Sequence, residues 1–361
     1  MPHRKKLFWF AVLLLSAVAV HLYSMDPSRV ENGYSRVLFP RIAGFLRAIF
    51  GWLPFSIGDI MYGAAAFFLI MLLIRFSKWL FRFRKNNLAP HFLRGAGSLL
   101  TVCSIIYILF NLFWGINYNR VGIAGQLNLE IKKYSVEELK TINAVLVEKV
   151  NFSKRSLLWS KTAYPGNKEL FAMTTRAYET VAKQYPFLTY RRVSIKPSLW
   201  SWVGNYTGFL GYYNPFTGEA QVNTTVSKFT QPFTACHETA HQLGYAKEME
   251  ANFVGYLAAA ASKDTLFHYS VYTDLFTYAN RTLYFADSSA AQLYRKMLLP
   301  EVIADFKERR EFNLAHRSFL EPVFRGIYGV FLKSNQQPMG MLSYDEVTGF
   351  IIAYYKKFGK I

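Results

Sequence analysis

The sequence predicts an α+β protein, mostly helical, in which three N-terminal transmembrane helices precede a domain with a small β segment. Three observations predict it. Three long apolar runs fall within residues 1–117. Thirteen Lys and Arg against three acids sit in that same third of a chain whose total charge is +19. Beyond it, helical segments surround one Gly-, Asn- and Tyr-rich stretch of short-strand character. With 52% hydrophobic residues the chain is not a disordered polymer. Two cysteines cannot form a disulfide scaffold.

The first apolar run, about 7–23, is broken only by Ser16 and His21. The second, about 56–74, carries one acid, Asp59. The third, about 98–117, carries no charge. A bilayer core needs about 20 mostly apolar residues per helix. Arg4-Lys5-Lys6 before the first run also suits a cleaved signal peptide. No Ala-x-Ala-like site follows Tyr23 and two more runs come after it, so a retained anchor is expected. The N-terminal tip and the segment Arg75–Gly97, with six basic residues and no acid, are the most basic flanks. They lie on one side if the helices alternate, and basic flanks are cytoplasmic. Everything after Asn117 is then extracytoplasmic. Arg41–Pro54 reads either as an interfacial segment or as an ordinary amphipathic loop helix. Cys103, in the third run, and Cys236 are not expected to pair.

Ser135-Val-Glu-Glu138 is a capping box opening a helix to about Val150. A helix is expected over about 168–184, a short strand over 190–196 ended by Pro197, and two short strands around a turn within 204–223. Helices follow from Gln231 and over about 248–262, 271–280, 290–299, 301–314, 320–332 and 344–358, with Pro300 separating one pair. Residues 118–361 have about the length of one domain.

His237-Glu238-Thr239-Ala240-His241 is an H-E-x-x-H motif. Histidines at i and i+4 share a helix face and can reach one zinc ion, while Glu238 lies beside them as a general base. Pro232 and Thr234 mark the start of that helix, with Thr234 as its expected cap, and Gly244 marks its end. A metzincin would carry a third His where Lys247 stands, so the remaining candidates for a third ligand are Glu248 and Glu250. Cys236 diverges from His237 around the helix and reads as a small buried thiol.

Glu248-Met-Glu-Ala-Asn252 resembles the E-x-x-x-D/N helix of gluzincin metallopeptidases, although the link from His241 is shorter than gluzincins usually have. That resemblance implies Glu248 as the third ligand and Asn252 as the residue that orients a ligand histidine. Gly211–Asn223, Cys236–Leu257, Trp114-Gly-Ile-Asn-Tyr118 and Phe267–Tyr272 together resemble the bacterial DUF3810 family. The family is grouped with zincin-type peptidases, which implies a zincin-like catalytic domain over 118–361 and Zn2+ as the metal. The expected reaction is hydrolysis of a peptide or protein, with zinc activating water and Glu238 moving its proton. An extended substrate is expected along a strand edge within Gly211–Asn223. His268, Tyr269 and Tyr272 are candidates to stabilise the oxyanion.

An intramembrane protease would bury the motif in a span, but Thr, Gln, Lys and Glu flank it here. A non-catalytic zinc-binding membrane protein with a scaffolding or envelope-maintenance role is the main alternative. A structural site is usually closed by four protein ligands. A nucleic-acid partner conflicts with the expected exterior placement. The charge instead suits a lipid bilayer partner, orienting helices and meeting anionic lipid. The sequence carries no signal for an oligomeric state.

Overall fold

The computed structural model describes residues 2–82 and 88–361. Arg84 and Lys85 of the expected basic loop lie outside the described residues. The chain is mostly helical with one three-stranded sheet.

Helix α1 (Pro2–Ser24) is followed, at an angle of 95°, by α2 (Pro27–Phe50), which is π-helical over Val30–Leu38. Asp26 caps the start of α2 by accepting from the Ser28 and Arg29 N–H groups. α3 (Ile57–Arg82) and α4 (Leu88–Phe113) complete the apolar third. Within α3, Ile57–Lys78 is long and apolar enough to cross a membrane. α1 and α2 pass the same test only as a bent pair, and the apolar part of α4, Gly97–Phe113, is shorter. By length and composition the described residues therefore give one such helix, or up to two, where the sequence predicts three. The helix of the third run ends at Phe113, four residues before the run does. Trp114 takes φ −156°, and Gly115–Asn119 form a 3-10 turn buried against the following domain.

α5 (Gly122–Gln126) leads to α6 (Val136–Ser160). Both hydrogen bonds of the Ser135–Glu138 capping box are present, and the helix runs ten residues past Val150 because Leu157 still finds the core. α7 (Asn167–Gln184) follows. The strand expected over 190–196 shrinks to β1 (Ile195–Pro197). Arg192 interrupts the extended run at φ +54°. Residues 201–207 are not strand but a short helix, α8 (Ser201–Thr207), which ends on Gly208 at φ +81°. β2 (Gly211–Asn214) and β3 (Glu219–Val222) form the predicted hairpin. The sheet order is β1-β3-β2, so β2 is an edge. Two neighbouring helices follow, α9 (Gln231–Gln242) and α10 (Glu248–Ala261). α11 (Thr265–Ala286) starts six residues earlier than expected, because Asp264 caps it. α12 (Ser288–Lys296), α13 (Pro300–Ala315), α14 (Leu320–Ser334) and α15 (Val347–Phe358) complete the chain.

The main core lies among α6, α7, α9, α10, α11 and α15, with Tyr178, Phe253, Phe267 and Leu275 among its most buried side chains. A second cluster joins the apolar third to the domain: Val30, Tyr34 and Phe39 of α2 pack with Trp114, Ile116, Tyr118 and Ala246. α2 is also held by charge. The buried Glu31 carboxylate takes hydrogen bonds from Arg120 Nε (3.0 Å) and Nη2 (2.8 Å) and from Gln126 (2.7 Å), and Arg120 lies over the Tyr245 ring.

Burial alone would raise the Glu31 carboxyl, but Arg120, Gln126 and the Gly122 N–H outweigh it and hold the group at about 2 instead of 4.5. A carboxyl depressed in the folded state stabilises the fold above its unfolded value. That stabilisation is lost as pH falls from about 4.5 towards 2. The melting temperature of detergent-solubilised protein is thus expected to drop through this window. Glu31→Gln should lower it at neutral pH and flatten the acid limb, and an unchanged acid limb would exclude this pair as the cause.

Candidate metal centre

α9 begins at Gln231 with Pro232 in its first turn, where a missing N–H costs nothing. Thr234 is not its cap. The helix starts earlier, and the Thr234 hydroxyl donates back to Thr230 O at 3.0 Å. Gly244 ends the segment at φ +87°. A side chain there would be strained and would meet Phe39 and Asn117. This turn sends the chain straight into α10, so the short link from His241 to Glu248 suffices to bring the two together.

His237 Nε2 lies 3.2 Å and His241 Nε2 3.6 Å from Glu248 Oε2. The three donor atoms lie within 4.8 Å of one another, and all three residues are buried. Two ligands about 2.05 Å from a tetrahedral zinc stand about 3.3 Å apart, so these spacings suit one ion between the side chains. Glu248 Oε2 has no hydrogen-bond partner, as a ligand oxygen aimed at a cation would not. Its other oxygen is taken: Tyr328 donates to Oε1 at 2.6 Å, leaving one oxygen for the histidines. His241 Nδ1 lies 2.7 Å from Tyr245 O, and since a carbonyl only accepts, Nδ1 carries the proton and Nε2 is left as a donor atom. The edge of Trp114 packs against the His241 ring at 5.8 Å.

Glu250 points elsewhere. Its carboxylate lies against Gly122, so close that a Cβ there would clash with it, and burial raises the group against the lowering effect of Lys247 and Arg120. The geometry therefore groups Glu248, and not Glu250, with the two histidines. Asn252 lies on the same helix, but its amide donates to Tyr344 O at 3.4 Å, and His237 Nδ1 has no hydrogen-bond partner. His237 is instead flanked by the stacked ring of Tyr344 at 6.3 Å. Cys236 is fully buried and, like Cys103, unpaired. Burial pushes its thiol well above the usual range.

Electrostatics follow the packing. Burial raises the Glu238 carboxyl to about 7, against the lowering effect of His237 and His241. Burial works against a charged His241, but the Glu248 carboxylate outweighs it and raises the group to about 9. Burial would raise Glu248, and the two histidines instead hold it well below the carboxylate range.

Glu238 Oε2 is buried without a partner. Gly211, the first residue of edge strand β2, passes so close that a Cβ would lie 2.6 Å from Glu238 Oε1. Glycine is needed there because the strand and the carboxylate share the space. A cavity of about 570 Å³ holds His237, Glu238, His241 and Glu248 on one wall and Tyr213 and Tyr328 beside them. A second cavity of about 240 Å³ is lined by the same His237 and Glu238. The three oxyanion candidates line neither of these two cavities. His268 Nε2 bonds Ser262 O, Tyr269 bonds Asp305, and Tyr272 packs on His268. The tyrosines at the site are Tyr328 and Tyr344, which sequence spacing could not single out.

Fold and donor set thus define a mostly helical protein with an apolar N-terminal third and a buried His–His–Glu group able to hold a metal ion. The chain belongs to the DUF3810 family, described as a protein of unknown function, whose family model matches residues 34–352. No curated protein matches the chain, and no solved structure does.

Proposed function

We propose that this protein is a membrane-anchored zinc metallopeptidase of the zincin, gluzincin-like type. The observation that carries the reading is the buried, unpartnered Glu238 carboxylate on the same cavity wall as His237, His241 and Glu248. A group built only to hold a metal has no use for a further free carboxylate facing an open cavity. The two Nε2 atoms and Glu248 would hold a zinc ion, which would supply Lewis acidity towards a water and a substrate carbonyl. Glu238 accepts the proton of the attacking water and delivers it to the leaving amine. Edge strand β2 offers unpaired backbone groups to an extended peptide beside Glu238. With the Tyr328 hydroxyl given to Glu248, the Tyr344 hydroxyl on the same cavity is the donor available for the developing oxyanion. Among the candidates for the third metal ligand, Glu248 is favoured over Glu250 by its position.

Purified protein is expected to carry about one zinc ion per chain, within the stoichiometry of a single three-ligand site. His237→Ala should lose it while remaining folded by circular dichroism. Retention of zinc in that variant would place the metal elsewhere.

The same proposal includes the topology: α1, α3 and α4 cross the bacterial cytoplasmic membrane, with the N-terminus cytoplasmic and residues 118–361 outside. The uncharged or nearly uncharged apolar stretches and the basic flanks support it. A C-terminal alkaline phosphatase fusion should be active and a C-terminal fluorescent fusion dark, whereas the reverse pattern would invert the orientation.

A further inference from the structure

Building on that reading, we propose that the site is entered sideways from the outer leaflet, and that its substrate is a peptide anchored in the bilayer. The first observation is depth. Tyr62 lies more than one helical turn inside α3 and Phe110 about one turn inside α4, yet both line the same cavity as His237, Glu238 and Glu248. The floor of the cavity therefore lies at the level of the apolar helices, not above them.

The second observation is α14. This helix closes the cavity by Tyr328, and its Phe331 packs on Phe110 of α4 at 6.0 Å. The face beside the cavity is open and apolar: Val323 and Val330 are 52% and 65% exposed, Ile327 at the cavity rim is 65% exposed, and Phe319 just before the helix is 79% exposed. Arg325 and Lys333 accompany them, with Glu321 as the one acid. Apolar side chains with basic residues are the composition of a helix lying in an anionic membrane interface. α8 continues the face. Trp202 is 61% exposed, and Trp200 reaches α3, donating to Asp59 O at 2.9 Å and lying against Gly63. Tryptophan at this level is the ordinary anchor of a membrane–water interface. α8 and α14 thus continue at the membrane surface the apolar face that α3 presents to lipid.

The third observation is polarity across the site. The larger cavity, on the side of α3 and α4, is walled by Phe110, Trp114, Phe216, Phe324 and Ile327. The smaller one shares His237 and Glu238 and is the more polar of the two, with Thr234, Asn252, Asp274, Arg281 and Arg325 beside Phe233 and Met341. A chain lying through both would place an apolar segment towards the bilayer and a polar segment towards water, with Glu238 between. A membrane-anchored peptide cut near the bilayer surface has that chemistry.

The test places single spin labels at Ile327→Cys and Val323→Cys in a Cys103→Ala background, in vesicles of mixed zwitterionic and anionic phospholipid. Phe67→Cys, on the exposed middle of α3, reports whether the protein spans. Lys307→Cys on α13 reports the aqueous domain. Labels at 67, 323 and 327 should be relaxed by oxygen and shielded from an aqueous nickel chelate, and the label at 307 should show the opposite. A lipid-exposed label at 67 with water-exposed labels at 323 and 327 would overturn the lateral entry alone. A water-exposed label at 67 would overturn the membrane reading and this inference with it. In the second arm, a randomised peptide library is offered free and attached to an acyl chain. The anchored library should be cut faster by about tenfold or more, because anchoring raises its concentration at the entrance. Equal rates would overturn the substrate class. Cleavage of neither by zinc-loaded protein would overturn the peptidase reading, and the substrate class with it.

Discussion

Glu238→Gln is expected to keep its metal and to lose peptide hydrolysis by about 10²–10⁴-fold, the range that a positioned general base contributes. The substitution preserves shape, so β2 still passes at Gly211 without displacement. It preserves the donor set as well, because the atoms that converge are His237 Nε2, His241 Nε2 and Glu248 Oε2. What it removes is a basic oxygen at the position of Oε2, which lies buried with no hydrogen-bond partner to occupy it. Zinc content by mass spectrometry and cleavage of a peptide library would be read on the same preparation. Glu238→Asp should fall between wild type and Gln, since it keeps the base but withdraws it by one methylene. An unchanged rate in the Gln variant would remove Glu238 from the chemistry and favour the non-catalytic zinc-binding alternative.

Local features were the legible ones. The pairing of His237 with His241 is a property of one helical turn, and the capping box of α6 a property of four residues. Glu248 could be named because it opens the next helix after a glycine turn. What supports these residues comes from far along the chain. Tyr328 lies 80 residues from the Glu248 it holds, and Trp114 reaches His241 from the end of an apolar helix. No period or spacing connects such positions. The role given to Asn252 rested on resemblance, and its amide instead meets the carbonyl of Tyr344. The histidine that is oriented by the protein, His241, uses the main chain of Tyr245, which any residue type could supply. The end of the third apolar run was misjudged for a related reason. Trp114-Gly-Ile-Asn is apolar enough to continue a span, and only packing against Tyr34, Phe39 and Ala246 shows that these residues serve the domain.

Glu219→Ala is expected to destabilise the protein by about 3–5 kcal/mol, the usual cost of leaving one charge of a buried pair alone. Lys196 is the charge left behind. Its ammonium pairs with the fully buried Glu219 carboxylate, and its other partners among the described residues are the Phe50 and Phe55 carbonyls. The same carboxylate accepts from the Ile57 N–H at 3.2 Å and the Gly58 N–H at 2.6 Å, capping the start of α3. A negative charge at a helix N-terminus adds about 0.3–1 kcal/mol, and more when partly buried. Asp59, one residue further, bonds Tyr212 of β2 and the Leu199 N–H. The N-terminal end of α3 is in this way fixed to both strands of the hairpin whose edge passes Glu238. Losing Glu219 should therefore lower the denaturation midpoint and also loosen β2, so that residual activity falls more than residual metal binding. Glu219→Leu combined with Lys196→Met removes both charges and replaces them with apolar volume. Such replacements are often neutral or stabilising by about 1–4 kcal/mol, so the pair should recover most of the stability. Recovery of stability without recovery of activity would show that the carboxylate positions α3 against the strand. A single Glu219→Ala variant that melts like wild type would show that the Lys196 charge finds water, and that Asp59 and the Ser56–Gln221 bond suffice to join α3 to the sheet.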